Sequence, residues 1–156
     1  MIIPPEKFPY DWLFEIPLVK RKAGNQRTRK RIQYKDLITA FDIETTRLQD
    51  IEQSIMYVWQ WQFGDEYTVV GRTWEQFEAF QRKLKAVLED SVLVVFVHNL
   101  SYEFQFLRGI YPFNQDEVFA IKSRKVLKCN MWDSFEFRCS YIHSNMNLDT
   151  YTKKIL

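Results

Sequence analysis

The chain has 156 residues, 46% of them hydrophobic, and a formal net charge of only +2, with 22 basic against 20 acidic residues. Such a composition is rich enough in apolar residues to build one core, which excludes an intrinsically disordered chain, and too nearly neutral to bind polyanions through its overall charge. Two cysteines, Cys129 and Cys139, are too few for a disulfide framework and read as reduced core thiols suited to a cytoplasm. The start, Met1-Ile-Ile-Pro-Pro-Glu-Lys, lacks the apolar core of a signal peptide, and no stretch of about 18 apolar residues exists to cross a membrane. A soluble cytoplasmic protein with no membrane partner is the expectation.

In chain order, residues 1–12 are rich in Pro and aromatic residues and are expected to run over the surface, with a short strand over Leu13 to Val19. Lys20, Arg21, Lys22, Arg27, Arg29, Lys30 and Arg31 follow with no intervening acid, and Gly24-Asn25 marks a turn or loop among them. This basic arm, within an N-terminal extension over 1–31, has two readings: a contact for phosphates, or a merely solvated segment. The main domain is expected over 32–156. It opens with a strand over Ile32 to Ile43, then a hairpin of Ser54 to Phe63 and Glu66 to Val70 about Gly64-Asp65.

Thr73-Trp-Glu-Gln76 has the pattern of a capping box, and Trp74, Phe77, Phe80, Leu84, Val87 and Leu88 keep helical spacing, which predicts an amphipathic helix over Trp74 to Glu89. Val92 to Val97 reads as a strand buried on both faces. A helix capped by Asn99 or Ser101 follows and ends near Gly109 and Pro112. Strands are expected near Val118 to Ile121, Val126 to Cys129 and Phe135 to Ile142, and the start of a further helix over Leu148 to Leu156. Tyr57, Trp59 and Trp61 alternate along one strand, and Phe77 and Phe80 share a helix stripe, so both sets read as packing. The order of elements predicts an α/β or α+β sheet with helices against it.

The chemistry concentrates at two places. Asp42 and Glu44 end an apolar run, Phe41-Asp-Ile-Glu-Thr-Thr46, and in an extended strand residues two apart share a face, so both carboxylates aim at one spot. The second apolar run ends in His98-Asn99-Leu-Ser-Tyr102-Glu103. A helix opening there brings Glu103 to the same place, making an oxygen-rich site suited to Mg2+ or Mn2+.

These two segments resemble the first two motifs of the 3′–5′ exonuclease (DEDD, ribonuclease H-like) domain of family B DNA polymerases, especially the protein-primed enzymes of phages and linear plasmids. The resemblance runs from about Tyr34 to about Leu148. It implies a ribonuclease H-like mixed sheet flanked by helices, and two-metal hydrolysis at the 3′ end of single-stranded DNA, with Asp42, Glu44 and Glu103 as metal ligands and catalytic residues. It also implies that Thr45, Asn99, Tyr102 and Ser140 contact the strand, and that the rest of a polymerase is a partner. The sequence departs from the pattern twice. Glu stands at position 103 where the family carries Asp, and no Tyr-x-x-x-Asp third motif follows before Leu156, as in a domain cut short at its C-terminus.

Because metal-assisted hydrolysis needs no separate base, His98 reads first as a hydrogen-bonded structural imidazole lying along the nucleic-acid path. His143 has no context that raises it above a surface residue. Asn99 also has a purely structural reading as a helix cap, and Glu103 one as a solvated helix residue. Two other functional classes compete with the nuclease. One is a repurposed exonuclease-fold protein of a phage or mobile element that inhibits a host protein or nucleic-acid complex. The other is a single-strand-binding module using stacked aromatics and the basic arm.

Overall fold

The computed structural model describes residues 1–22, 31–48, 53–121 and 125–140. Two long strands organise it: β3 (Arg31–Leu48) and β4 (Gln53–Phe63) pair antiparallel from Thr39↔Phe63 to Leu48↔Gln53. β5 (Tyr67–Gly71) turns back on β4 through Gly64, which takes a positive φ of 55°, the left-handed conformation that favours glycine in a tight turn. On the other edge of β3 lie β6 (Val92–Val97) and then β9 (Phe135–Cys139), both parallel to it. β8 (Lys125–Met131) and β7 (Val118–Ile121) complete that side antiparallel. β1 (Ile2–Ile3) adds to β5, and β2 (Leu18–Lys22) pairs with the start of β3, giving nine strands in one mixed sheet among the described residues. The fold is a mixed α/β sheet with helices packed against it.

The period-2 pattern of the strands sorts residues between two unlike faces. Phe41, Ile43, Trp59, Trp61, Phe63, Val95 and Phe137 point to one side and are buried. Against them packs α1 (Trp74–Leu88), which buries Phe77, Phe80, Leu84 and Leu88. Its N-terminus is held as the sequence predicts: the Thr73 hydroxyl accepts from the Gln76 N–H at 3.1 Å and the Gln76 side chain accepts from the Thr73 N–H at 3.2 Å. The aromatics interlock, with Phe41 and Phe77 rings 5.0 Å apart and Trp61 edge-on to Phe135 at 5.4 Å. Both tryptophan N–H groups are satisfied, Trp59 by the Thr73 carbonyl and Trp61 by the Thr39 hydroxyl. Tyr57, expected to pack with them, is instead nearly half exposed: the β3–β4 register shifts between Glu44 and Thr45, which leaves Tyr57 as the extra residue of a bulge and turns Met56 into the core. Cys129 and Cys139 are buried free thiols.

The first dozen residues run over the surface only in part: Met1, Ile2, Pro4, Glu6 and Lys7 are exposed, whereas Ile3, Pro5 and Phe8 turn inward. Phe8 is buried against Phe63 and Phe80, at ring distances of 4.8 and 5.3 Å, since aromatic area of that size gains more from the core than from water. The strand expected over Leu13 to Val19 is also displaced. Tyr10–Glu15 forms 3-10 turns that bury Leu13, and extended structure begins at Leu18 because Pro17 has no N–H to give to a ladder.

The strands expected over Val118 to Ile121 and Val126 to Cys129 are present, the second running on to Met131, and the strand expected over Ile32 to Ile43 runs on to Leu48. Of the basic arm, Lys20, Arg21 and Lys22 belong to β2 and Arg31 opens β3. Arg27, Arg29, Lys30, His143, the segment 141–142 and the helix expected over Leu148 to Leu156 lie outside the described residues. No helix among the described residues is long and apolar enough to cross a membrane.

Candidate active site

The opposite face of the sheet carries the chemistry. Ala40, Asp42 and Glu44 alternate with the buried Phe41 and Ile43 and are exposed, and Ile38 on the same face is 68% exposed. Registers then bring β3, β6 and β9 into line. Ala40 lies opposite Phe96, and Phe96 opposite Arg138, in three parallel strands. Two residues further along stand Asp42, within β3, and His98 and Ser140, just past the carboxyl ends of β6 and β9, on the side where open α/β sheets place their ligands. The Ser140 N–H donates to the Val97 carbonyl at 2.9 Å, which holds Ser140 beside the end of β6.

α2 (Leu100–Leu107) begins just past His98. Asn99 occupies its N-cap position but makes no side-chain capping hydrogen bond, and the Ser101 hydroxyl is turned to accept from the Val126 N–H at 2.9 Å. The expected cap on either side chain is therefore absent. Asn99 instead lines a cavity of about 450 Å³ together with Asp42, Gln60, Gln62, Phe96, His98, Glu103 and Ser140. That size admits a nucleotide-sized ligand.

Glu103 is not a solvated helix residue. It is 5% exposed, its side chain shares a hydrogen bond with Asp42, and its second oxygen, Oε2, is buried without a partner. Burial, with the Asp42 charge adding to it, pushes the Glu103 carboxyl up to about 8. Asp42 is itself raised, first by partial desolvation against the sheet and then by Glu44, while the hydrogen bond from Glu103 and the nearby His98 act the other way. Two carboxyls this close hold a proton between them unless a cation replaces it. The orphaned Oε2 is an acceptor with nothing to accept, and it fits a small hard cation.

Glu44 shares the face but faces solvent beyond the cavity. Among the described residues no three side chains of His, Cys, Asp or Glu are gathered closely enough to hold a metal ion by themselves. Next to the pair, the Thr45 and Tyr102 hydroxyls lie 2.6 Å apart, tying the end of β3 to the first turn of α2. Tyr102 is 37% exposed and its ring lies 5.5 Å from Phe106. Thus Asp42, Glu103, His98, Asn99 and Ser140 surround one cavity and Thr45 with Tyr102 forms its neighbour. Gln60, Gln62 and Phe96 were not expected there from the sequence. The signal for the glutamines was the strand period, since residues between buried Trp59, Trp61 and Phe63 must face the other way.

No protein-family model matches the chain, and no curated protein matches it. Among solved structures it is similar to Phi29 DNA polymerase complexed with primer-template DNA, in a post-translocation binary complex, with a TM-score of 0.55 and 12% identity over 75% of this chain and 23% of that one. The ternary complex of the same polymerase with primer-template DNA and incoming nucleotide substrates gives a TM-score of 0.50 and 12% identity over 67% of this chain and 20% of that one. The chain spans between a fifth and a quarter of the polymerase chain. At such identity the likeness establishes a shared fold, a mixed α/β sheet.

Proposed function

We propose that this protein is the 3′–5′ exonuclease portion of a protein-primed-type family B DNA polymerase, hydrolysing the single-stranded 3′ end of DNA with Mg2+ or Mn2+. The observation that carries the reading is the Asp42–Glu103 pair, with its unpartnered buried oxygen, beside the carboxyl ends of the parallel strands β6 and β9. The motif resemblance and the likeness to Phi29 DNA polymerase support it. Asp42 and Glu103 would hold the cation, with Glu44 joining from the cavity rim. When bound, the ions lower the pKa of the attacking water and stabilise the leaving 3′ oxygen. Asp42 and Glu103 give up their shared proton on loading. Asn99 and Ser140 in the cavity and Tyr102 beside it would position the terminal nucleotide, with the Tyr102 ring, tied to the Thr45 hydroxyl, stacking on an unpaired base.

The test is digestion of a 3′-labelled single-stranded oligonucleotide with Mn2+, comparing the chain with Asp42→Ala. Stepwise shortening from the 3′ end that the variant lacks is expected, and equal activity in both removes the reading. The position of Glu44, apart from the carboxyl pair, favours a second reading in which the same cavity and sheet face bind a nucleic acid or a host protein without cleaving it. An intact oligonucleotide that nevertheless binds to the chain supports that alternative.

A further inference from the structure

We infer that Gln60 is an additional oxygen ligand of the cation site, supplied by the neighbouring strand. This rests on the reading of Asp42 and Glu103 as cation ligands and extends it to a residue outside both motifs. Gln60 is the direct cross-strand partner of Asp42 in the β3–β4 ladder. Directly opposed residues on one face of an antiparallel pair have Cβ atoms about 4.5–5.5 Å apart. Both side chains point to the exposed face, because Trp59 and Trp61 on either side of Gln60 are buried on the other. Gln60 lines the same cavity as Asp42 and Glu103.

The chemistry of the donor set explains why an amide suits this position. Asp42 and Glu103 already bring two carboxyl groups to the cavity, and a third anion in contact would add charge repulsion. An amide carbonyl is a neutral, hard oxygen donor of the kind that Mg2+ and Mn2+ accept beside carboxylates and water. It brings a third protein ligand from a third element, so the site draws on β3, β4 and α2 and does not depend on Glu44 alone for completion. Gln62, the next residue on the same face, stands opposite Ala40 and not Asp42, and its amide N–H donates to the Gly64 carbonyl at 3.2 Å.

The experiment measures Mn2+ alone, without nucleic acid, by calorimetry and by the electron paramagnetic resonance of the free ion. Chains to compare are the wild type, Asp42→Ala, Gln60→Ala, Gln60→Glu, and a surface control on α1, Glu75→Gln. Gln60 is solvent-exposed, so its variants are expected to fold, as far-UV circular dichroism would verify. Loss of a direct ligand should weaken Mn2+ on the order of tenfold or more in Gln60→Ala, since even outer ligand partners cost that much. Gln60→Glu should tighten Mn2+, the control should match wild type, and Asp42→Ala should abolish binding. Binding that Asp42→Ala removes but Gln60→Ala leaves unchanged overturns the role of Gln60 while the cation site stands. A wild type that binds no Mn2+ at this site overturns both.

Discussion

Raising the pH should weaken the cation-free protein through Glu103, in a window set by its burial. The folded carboxyl is pushed up to about 8, against an ordinary value of 4.5. Below about pH 4.5 the group is protonated whether the chain is folded or not, and it contributes no slope. Between about 4.5 and 8 the unfolded chain has released this proton and the folded one retains it, so stability falls as pH rises; above 8 the slope ends. At about 1.4 kcal/mol for each tenfold difference in proton affinity, the loss has a ceiling of about 5 kcal/mol, a large share of the 5–15 kcal/mol that keeps a domain folded. The assay is urea unfolding in a chelator from pH 5 to 8.5, followed by the fluorescence of the buried Trp59 and Trp61. Glu103→Gln keeps a donor for Asp42 and has no proton to lose, so its stability should be flat across this window and exceed wild type at pH 8. Mn2+ should flatten the wild-type curve in the same way, because the cation takes the place of the proton. Superimposable pH profiles for wild type and Glu103→Gln would refute the buried, proton-sharing pair.

Two further outcomes follow from the packing. Gly71→Ala should destabilise by about 1–3 kcal/mol in thermal or denaturant unfolding, since a Cβ there would stand 2.2 Å from the ring of Trp59, which has no room to move in the aromatic core. Tyr34→Phe should cost about 1.5–3 kcal/mol, because the Tyr34 hydroxyl donates at 3.0 Å to the buried Glu136, whose carboxylate is held below its ordinary value, against the effect of burial, by Lys128 and Arg138; the same unfolding assay checks it.

The sequence by itself determined the parts that depend on neighbours along the chain. The Thr73–Gln76 capping box, the stripe of α1, the hairpin at Gly64 and the strands that carry Asp42 and lead to His98 all follow from local spacing, because helix and strand periods act over a few residues. The strand period at Asp42 and a helix opening after His98 also pointed Asp42 and Glu103 to one place, and both line one cavity. What it could not settle is whatever depends on register and layer. Whether Phe8 packs in or lies out is decided by a cavity that Phe63 and Phe80 leave open from distant positions. The burial of Glu103, and with it the proton shared with Asp42, comes from how α2 settles on the sheet. Gln60 enters the site only because β3 and β4 pair with Asp42 opposite it, and a one-residue slip would have put a tryptophan there instead. Periodicity tells each strand which residues share a face; only the tertiary pairing decides which residues on different strands meet there.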